Sequence, residues 1–426
     1  MPAANQDTIA AVATARGRGA LAVVRVSGPD AFSIASQLSG REVDRSMAGR
    51  FFRATLRDRE ARPIDDALVL VFASPRSYTA EDVVEFHTHG GEVTPRRVLD
   101  ACLGFGARLA RRGEFTLRAF LNGKTDLSRA EAVIDLVDAR TDRAADDALS
   151  RLGGSQTAAF DEMYDDALAL SAAMEHSLDV QEDELPPEFV AHLESSRDAL
   201  ARKISAALAT AREGRLLREG ALVALAGPPN AGKSSLMNAL LGEDRVLVSP
   251  SAGTTRDTVE ESISVGGFPV RLVDTAGLRD ADDAVEAAGV ERARKIIERA
   301  DIVLSLGGGE FPNGIAVHSK CDLGRGPGIN VSAVTGEGLD ELRREMARRL
   351  EELAAKPDES CADVSDRQRE ALSAALRSLR KGEPSRDSVL AANAFRDAAR
   401  YIGELLGRVY TDDLLEKLFS RFCVGK

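Results

Sequence analysis

Residues 227–234 read GPPNAGKS, and no other stretch restricts the fold of this chain so tightly. Two glycines five positions apart, followed by Lys233 and Ser234, fit the rule for a loop whose backbone N–H groups wrap nucleotide phosphates. Lys233 can reach the outer phosphates as a point charge, and the Ser234 hydroxyl can ligate the magnesium that bridges them. An apolar run, Ala221 to Ala226, precedes the loop, and residues 235–241 follow at helical spacing. Strand, loop and helix in that order predict a P-loop domain rather than a Gly/Pro turn beside a chance lysine.

Three downstream elements select the base. Gly253-Thr254-Thr255-Arg256-Asp257 has the composition of a switch loop in which a threonine hydroxyl completes the magnesium shell while the terminal phosphate is present. Asp274-Thr275-Ala276-Gly277 follows the apolar run Val270 to Val273, which puts a carboxylate at a strand end and a glycine where backbone can meet the γ-phosphate. In Ser319-Lys320-Cys321-Asp322, Asp322 can accept from the N1 and N2 donors of guanine, a pair adenine lacks, and Ser332-Ala333 matches the short loop that backs the base. Four such elements in this order predict a GTPase.

Three positions depart from a simple switch. Leu278 follows DTAG where a water-positioning glutamine would stand, so another group must orient the attacking water. Asn230 can offer its side-chain oxygen to a monovalent cation beside the phosphates, supplying positive charge there. Ser319 replaces an asparagine and is too short both to brace the loop and to approach the purine, which predicts weakened guanine affinity.

At 426 residues the chain can hold two or three cores, and no apolar run nears the roughly 20 residues that span a bilayer. The start MPAANQDTIA lacks a signal peptide's features, and Cys102, Cys321, Cys361 and Cys423 are scattered without CxxC spacing, so a reducing, cytoplasmic setting without structural zinc is expected. A net charge of −12 argues against a broad nucleic-acid-binding face, though a local basic patch stays open. The predicted fold is multidomain α/β. Residues 1–121 alternate short β-rich runs (Thr8 to Thr14, Ala20 to Val26, Ala67 to Phe72, Val83 to His87) with turns and a helix near Pro95 to Cys102, an α+β pattern. Residues 122–215 turn helical, the nucleotide domain follows over 216–350 as an insertion, and helical stripes resume over 351–426. The two helical stretches are expected to pack together as a stalk beneath the nucleotide domain.

The first segment carries a second constellation. Gly17-Arg18-Gly19 precedes Val24-Arg25-Val26, and in Val84-Glu85-Phe86-His87-Thr88-His89 the strand period of two puts Glu85, His87 and His89 on one face. Metal binding by the histidines, a solvated strand face, and a pocket for a polar heterocycle all remain open. Residues 113–127, GEFTLRAFLNGKTDL, form a loop-to-helix segment with one prominent cation, Lys124.

The P-loop asparagine, GTTRD, DTAGL, the segment 113–139 and the terminal Phe422-Cys423-Val424-Gly425-Lys426 together resemble the MnmE, or TrmE, family of tRNA-modification GTPases over the whole chain. The resemblance implies a tetrahydrofolate-binding N-terminal domain that also forms the homodimer, a helical domain in two segments, and an inserted Ras-like G domain. It implies a partner, the flavoprotein MnmG, with which a carboxymethylaminomethyl or aminomethyl group is placed on C5 of wobble uridine in certain tRNAs. The carbon would come from 5,10-methylene-tetrahydrofolate, for which 5-formyl-tetrahydrofolate is an analogue.

By matching positions, the resemblance assigns the folate site to Arg25, Glu85, Lys124 and Lys426, where a carboxylate can accept from pterin N–H groups and cations suit the glutamate tail. It gives potassium to Asn230, Ser249, Ser251 and Thr254, magnesium to Ser234 and Thr255, and water orientation to Glu286, otherwise an exposed helix-start glutamate. GTP contacts extend over Asn230, Ala231, Gly232, Lys233, Ser234 and Ser235, then Ser249, Pro250, Ser251, Ala252, Gly253 and Thr254. They continue at Asp274, Thr275, Ala276, Gly277, Ser319, Lys320, Asp322, Ser332 and Ala333. Cys423 is the thiol candidate near the one-carbon chemistry. GTP and potassium are expected to bring two G domains together and hydrolysis to release them, driving tRNA modification without a bond to the base. Two rivals stand: a ribosome-assembly GTPase, whose only hint is the basic face with Arg369, Arg377 and Arg380, and a stand-alone folate-dependent transferase.

Overall fold

The computed structural model describes residues 7–179, 186–209, 211–244, 260–275, 286–355 and 365–426. The chain divides into two compact units, one of residues up to Ile134 together with Leu406–Lys426, the other of Asp135–Leu405. The architecture is multidomain α/β, with an α+β N-terminal part, a discontinuous helical region and an inserted α/β nucleotide domain.

The first unit opens with β1 (Ile9–Val12), β2 (Leu21–Ser27), α1 (Ala31–Ser39), β3 (Phe51–Arg57), β4 (Pro63–Phe72) and β5 (Val83–His89). There follow α2 (Val93–Gly104), β6 (Arg108–Leu109), α3 (Glu114–Leu121) and α4 (Leu127–Asp138), which runs across the division of the chain. The strands form one sheet in the order β3-β4-β5-β2-β1-β6. Alternation decides its faces: Val24, Val26, Val69, Val71, Val84 and Phe86 are buried in a core shared with Ile34 of α1 and Val98 of α2. Arg25 pairs with Glu85, and Val23 with His87, on the opposite, half-exposed face.

The second unit begins with the helices α5 (Asp142–Leu152), α6 (Ser155–Asp179), α7 (Pro187–Ala209) and α8 (Ala211–Glu219). The nucleotide domain follows as β7 (Ala221–Ala226), α9 (Lys233–Asp244), β8 (Glu260–Val265), β9 (Phe268–Asp274), α10 (Glu286–Arg299), β10 (Ile302–Leu306), β11 (Gly314–Ser319), β12 (Ile329–Val331) and α11 (Leu339–Ala355). Then come α12 (Asp366–Lys381) and α13 (Ser388–Leu406), after which α14 (Asp412–Phe419) and the tail belong to the first unit. A capping box, Ser365 with Gln368, starts α12 and satisfies two orphan N–H groups.

The nucleotide-domain sheet has the order β12-β11-β10-β7-β9-β8, parallel except for the β8–β9 hairpin. On its strands Val223, Leu225, Leu272, Leu304 and Val317 are buried against Leu236 and Leu240 of α9 and Leu342 and Met346 of α11. Adjacent parallel strands usually need a crossover of about a dozen residues, most often a helix. Here residues 307–313 return the chain from β10 to β11 without one. Ser305 Oγ donates to the Gly309 carbonyl at 2.6 Å, Asn313 Nδ2 to the Ala300 carbonyl at 2.5 Å, and Phe311 packs on the Ala224, Ala226 and Val303 cluster in place of a helix. The glycine run Gly307-Gly308-Gly309 serves this shortened return: Gly307 and Gly308 take φ values of 103° and 93°.

Candidate functional site

β7 delivers the chain to Gly227, whose φ is 156° and whose position admits no side chain, because a Cβ there would lie 2.1 Å from the Leu306 carbonyl oxygen. Lys233 is buried, and its ammonium donates to the carbonyls of Gly227 at 2.9 Å and Pro228 at 2.7 Å. The cation is therefore already folded over the loop. Ser234 Oγ, in the first turn of α9, donates to Asp274 Oδ2 at 2.5 Å at the end of β9. A hydroxyl and a carboxylate in contact make an oxygen donor pair suited to a hard divalent cation. Thr275 Oγ1 fixes that strand end by donating to the Leu225 carbonyl at 2.7 Å.

On the base side, Ser319 Oγ donates to the Ala231 carbonyl at 2.6 Å, and Lys320 Nζ to the Asn230 carbonyl at 3.0 Å. Asn230 and Lys320 both have a φ of 61°, a left-handed conformation uncommon outside glycine. Short as it is, the serine does brace the phosphate loop, contrary to the expectation from its length, because the Ala231 carbonyl comes to it. Asp322 is exposed, and the buried Ser332 hydroxyl accepts from the N–H groups of Val334 at 3.3 Å and Thr335 at 3.2 Å, with Ala333 half-buried between. Cys321 N–H to the Val331 carbonyl, 3.1 Å, joins the two loops.

The first unit holds the second site. Arg25 Nε donates to Glu85 Oε1 at 2.8 Å, and Glu85 Oε2 lies 3.3 Å from His87 Nε2. The Arg25 guanidinium sits 5.0 Å from the Tyr78 ring centre and 5.5 Å from that of Phe115, and its Nη1 donates to the Gly425 carbonyl at 3.1 Å. The tail is seated by Gly113 N–H on the Cys423 carbonyl at 3.3 Å and by a backbone bridge between Arg112 and Val424. Phe422 is buried in the cluster with Phe120, Leu127 and Phe419. Cys423 itself is exposed and carries a free thiol. Behind this group, buried Arg118 pairs with Asp7, Glu81 and Glu114, and Ser27 Oγ donates to Glu81 Oε2 at 2.6 Å.

His89 leaves the group: its Nδ1 lies 2.7 Å from Asp65 Oδ1, a hydrogen bond that, with the charge of Asp65, raises the imidazole's affinity for its proton. Among the described residues no cluster of three or more His, Cys, Asp or Glu side chains is placed to hold a metal ion. Lys124 stands exposed on the turn after α3, and among the described residues no hydrogen bond joins its ammonium to the Arg25 group. Sequence reasoning missed Tyr78 and Phe115, which flank Arg25. Tyr78 lies between strands, where no periodicity marks it, and Phe115 reads as an ordinary helix-face residue.

A family profile described as "GTP-binding protein TrmE N-terminus" matches residues 8–124, and one described as "MnmE helical domain" matches residues 127–423. A "tRNA modification GTPase MnmE" from Akkermansia muciniphila is 40% identical over 447 aligned residues, covering 99% of both chains, and one from Neisseria meningitidis serogroup A is 41% identical over 450, again covering 99% of each. The chain belongs to the MnmE family. An MnmE from Symbiobacterium thermophilum is 40% identical and covers 99% of this chain and 100% of its own. The G domain of the T. maritima FeoB iron transporter matches 32% of this chain and 98% of its own at 27% identity, with a TM-score of 0.23.

Of the residues that resemblance to the MnmE family marks, the structure brings together Arg25, Glu85 and the Cys423–Lys426 tail in one unit, and Lys233, Ser234, Asp274, Ser319 and Lys320 in the other. Ser235 follows in α9. Ser249, Pro250, Ser251, Ala252, Gly253, Thr254, Thr255, Ala276, Gly277 and Leu278 lie outside the described residues. Glu286 is the first residue of α10. Among the described residues, no helix is long and apolar enough to cross a membrane.

Proposed function

We propose that this MnmE-family protein is a potassium-stimulated GTPase that, with the flavoprotein MnmG, modifies C5 of wobble uridine in certain tRNAs. The observation that carries the hydrolytic part is the contact of Ser234 with Asp274 beside a lysine folded over the P-loop. Magnesium held there by Ser234 and Thr255, when bound, neutralises charge on the β- and γ-phosphates. Lys233 exchanges its two loop carbonyls for phosphate oxygens, and Asp274 holds the metal's water shell. Asp322 accepts from the guanine N1 and 2-amino groups, and Ser332-Ala333 closes the base from behind. Asn230, with Ser249, Ser251 and Thr254, binds potassium, which supplies the charge given elsewhere by an arginine finger. Glu286 orients the attacking water.

In the first unit, Arg25, Glu85, Lys124 and Lys426 bind the tetrahydrofolate, which supplies the methylene carbon. The Arg25–Glu85 pair fits such a guest: a carboxylate accepts from a pterin, and the half-buried ring of Tyr78 beside Arg25 gives a planar heterocycle something to stack on. Cys423, exposed on the same tail whose Gly425 carbonyl meets Arg25, is the candidate thiol for the one-carbon chemistry. The working assembly is a homodimer that binds MnmG and tRNA. GTP hydrolysis by the full chain with magnesium, in potassium and then in sodium, tests the proposal: a severalfold faster rate in potassium is expected, and equal rates contradict it.

A further inference from the structure

The Ser319 hydroxyl has one proton, and it goes to the Ala231 carbonyl at 2.6 Å. Ser319 lies directly against the P-loop, since a Cβ on Gly232 would meet its Cβ and Oγ at 3.6 Å each. Lys320 at the next position sends its ammonium to the Asn230 carbonyl at 3.0 Å. Both side chains therefore hold the phosphate loop. Beyond its pairing edge, guanine presents N7 as an acceptor, with O6 beside it, and reading N7 requires a donor. A serine hydroxyl that already donates has only lone pairs left for a second partner, so it has no proton to offer N7. Asp322, exposed at the same loop and acceptor-only when ionised, faces the opposite requirement and takes protons from N1 and the 2-amino group.

We propose that this chain recognises its nucleobase through the Watson–Crick edge alone, and that Ser319 is the specificity-determining residue that leaves N7 unread. The ligand class it admits is then wider than GTP: purine nucleotides altered at position 7 enter as readily, while those lacking the 2-amino group do not. The inference rests on the GTP-binding reading above and deepens it.

Isothermal titration of the full chain with GTP, 7-deaza-GTP and ITP in magnesium tests it, using the wild type, Ser319→Ala and Ser319→Asn. In the wild type, 7-deaza-GTP binds within about threefold of GTP, whereas ITP, missing one donor to a charged acceptor, binds about ten- to a hundredfold more weakly. Ser319→Asn supplies an amide donor and opens a gap between GTP and 7-deaza-GTP of more than about threefold. Ser319→Ala loses the bond to Ala231 and weakens both nucleotides in parallel, so their ratio stays near one. A wild-type preference for GTP over 7-deaza-GTP above about threefold overturns the inference, and an unchanged ratio in Ser319→Asn overturns the assignment to Ser319. Failure to bind GTP at all overturns the nucleotide reading itself.

Discussion

Arg25 Nη1 donates to the carbonyl of Gly425 at 3.1 Å, across 400 residues of chain. The bond makes the chain's last residues part of the wall of a site built on β2 and β5. Gly425 is what permits it: its φ is 98°, and a Cβ would lie 2.6 Å from the Val12 carbonyl oxygen and 2.7 Å from the Ala13 Cα. Neither backbone atom can yield as a flexible side chain could.

Gly425→Ala should therefore unseat the tail while leaving the buried core around Val24, Val84 and Phe86 intact. We expect 5-formyl-tetrahydrofolate affinity to fall about tenfold or more, with GTP hydrolysis by the unliganded protein retained. Equilibrium dialysis with the folate measures it, and unchanged affinity would separate the tail from the site.

Lys233→Ala removes the cation that now rests on the Gly227 and Pro228 carbonyls. Loss of a charge-assisted contact to phosphate is worth about 2–3 kcal/mol, so GTP affinity should drop by about 30- to 150-fold. Folate binding should not change. A titration of each ligand against the variant distinguishes this local effect from misfolding.

Glu114 gives a pH dependence with a definite sign. Burial raises its pKa, but hydrogen bonds from Arg108 and the Arg111 N–H, with the charges of Arg108 and Arg118, outweigh burial and hold it below the ordinary 4.5. Its folded value is depressed, so its contribution is present above that ordinary value and is lost as pH falls through the lowered one. Glu114→Gln should destabilise the protein by about 2 kcal/mol near neutral pH, a gap that closes as the pH falls below the ordinary 4.5 and through the lowered value. Urea unfolding of both proteins across that range reads it.

Arg143 of α5 ties that helix to the nucleotide domain. Its guanidinium lies 4.2 Å above the Phe268 ring, Nη2 is 2.5 Å from Glu213 and Nη1 2.6 Å from Glu351. Arg143→Ala should cost about 1–2 kcal/mol, and Arg143→Lys should recover less than half of it, because an ammonium cannot serve two carboxylates and a ring face at once. Denaturant unfolding of the two variants provides the comparison.

Much of this was legible from local pattern. Alternation along Val24-Arg25-Val26 and Val84-Glu85-Phe86 separates core from site without further information, and the apolar run before GPPNAGKS marks β7. β3 was not, because Arg53 and Arg57 interrupt its apolar residues and only Phe52 and Leu56 are buried, through pairing with β4. α1, AFSIASQLS, hid in its serines, which cap and turn as readily as they continue a helix. The return at 307–313 depends on parallel pairing between β10 and β11, a non-local contact that no window of sequence contains. The same holds for Tyr78 beside Arg25.

Reconstituted wobble-uridine modification is the most direct test: tRNA, MnmG, 5,10-methylene-tetrahydrofolate, GTP, magnesium and potassium with this protein, each omitted in turn. Modified C5 should form only in the complete mixture, and omission of GTP or of the folate should each abolish it. Product formed without GTP, or without the folate, would contradict a guanine-nucleotide motor working on a one-carbon carrier.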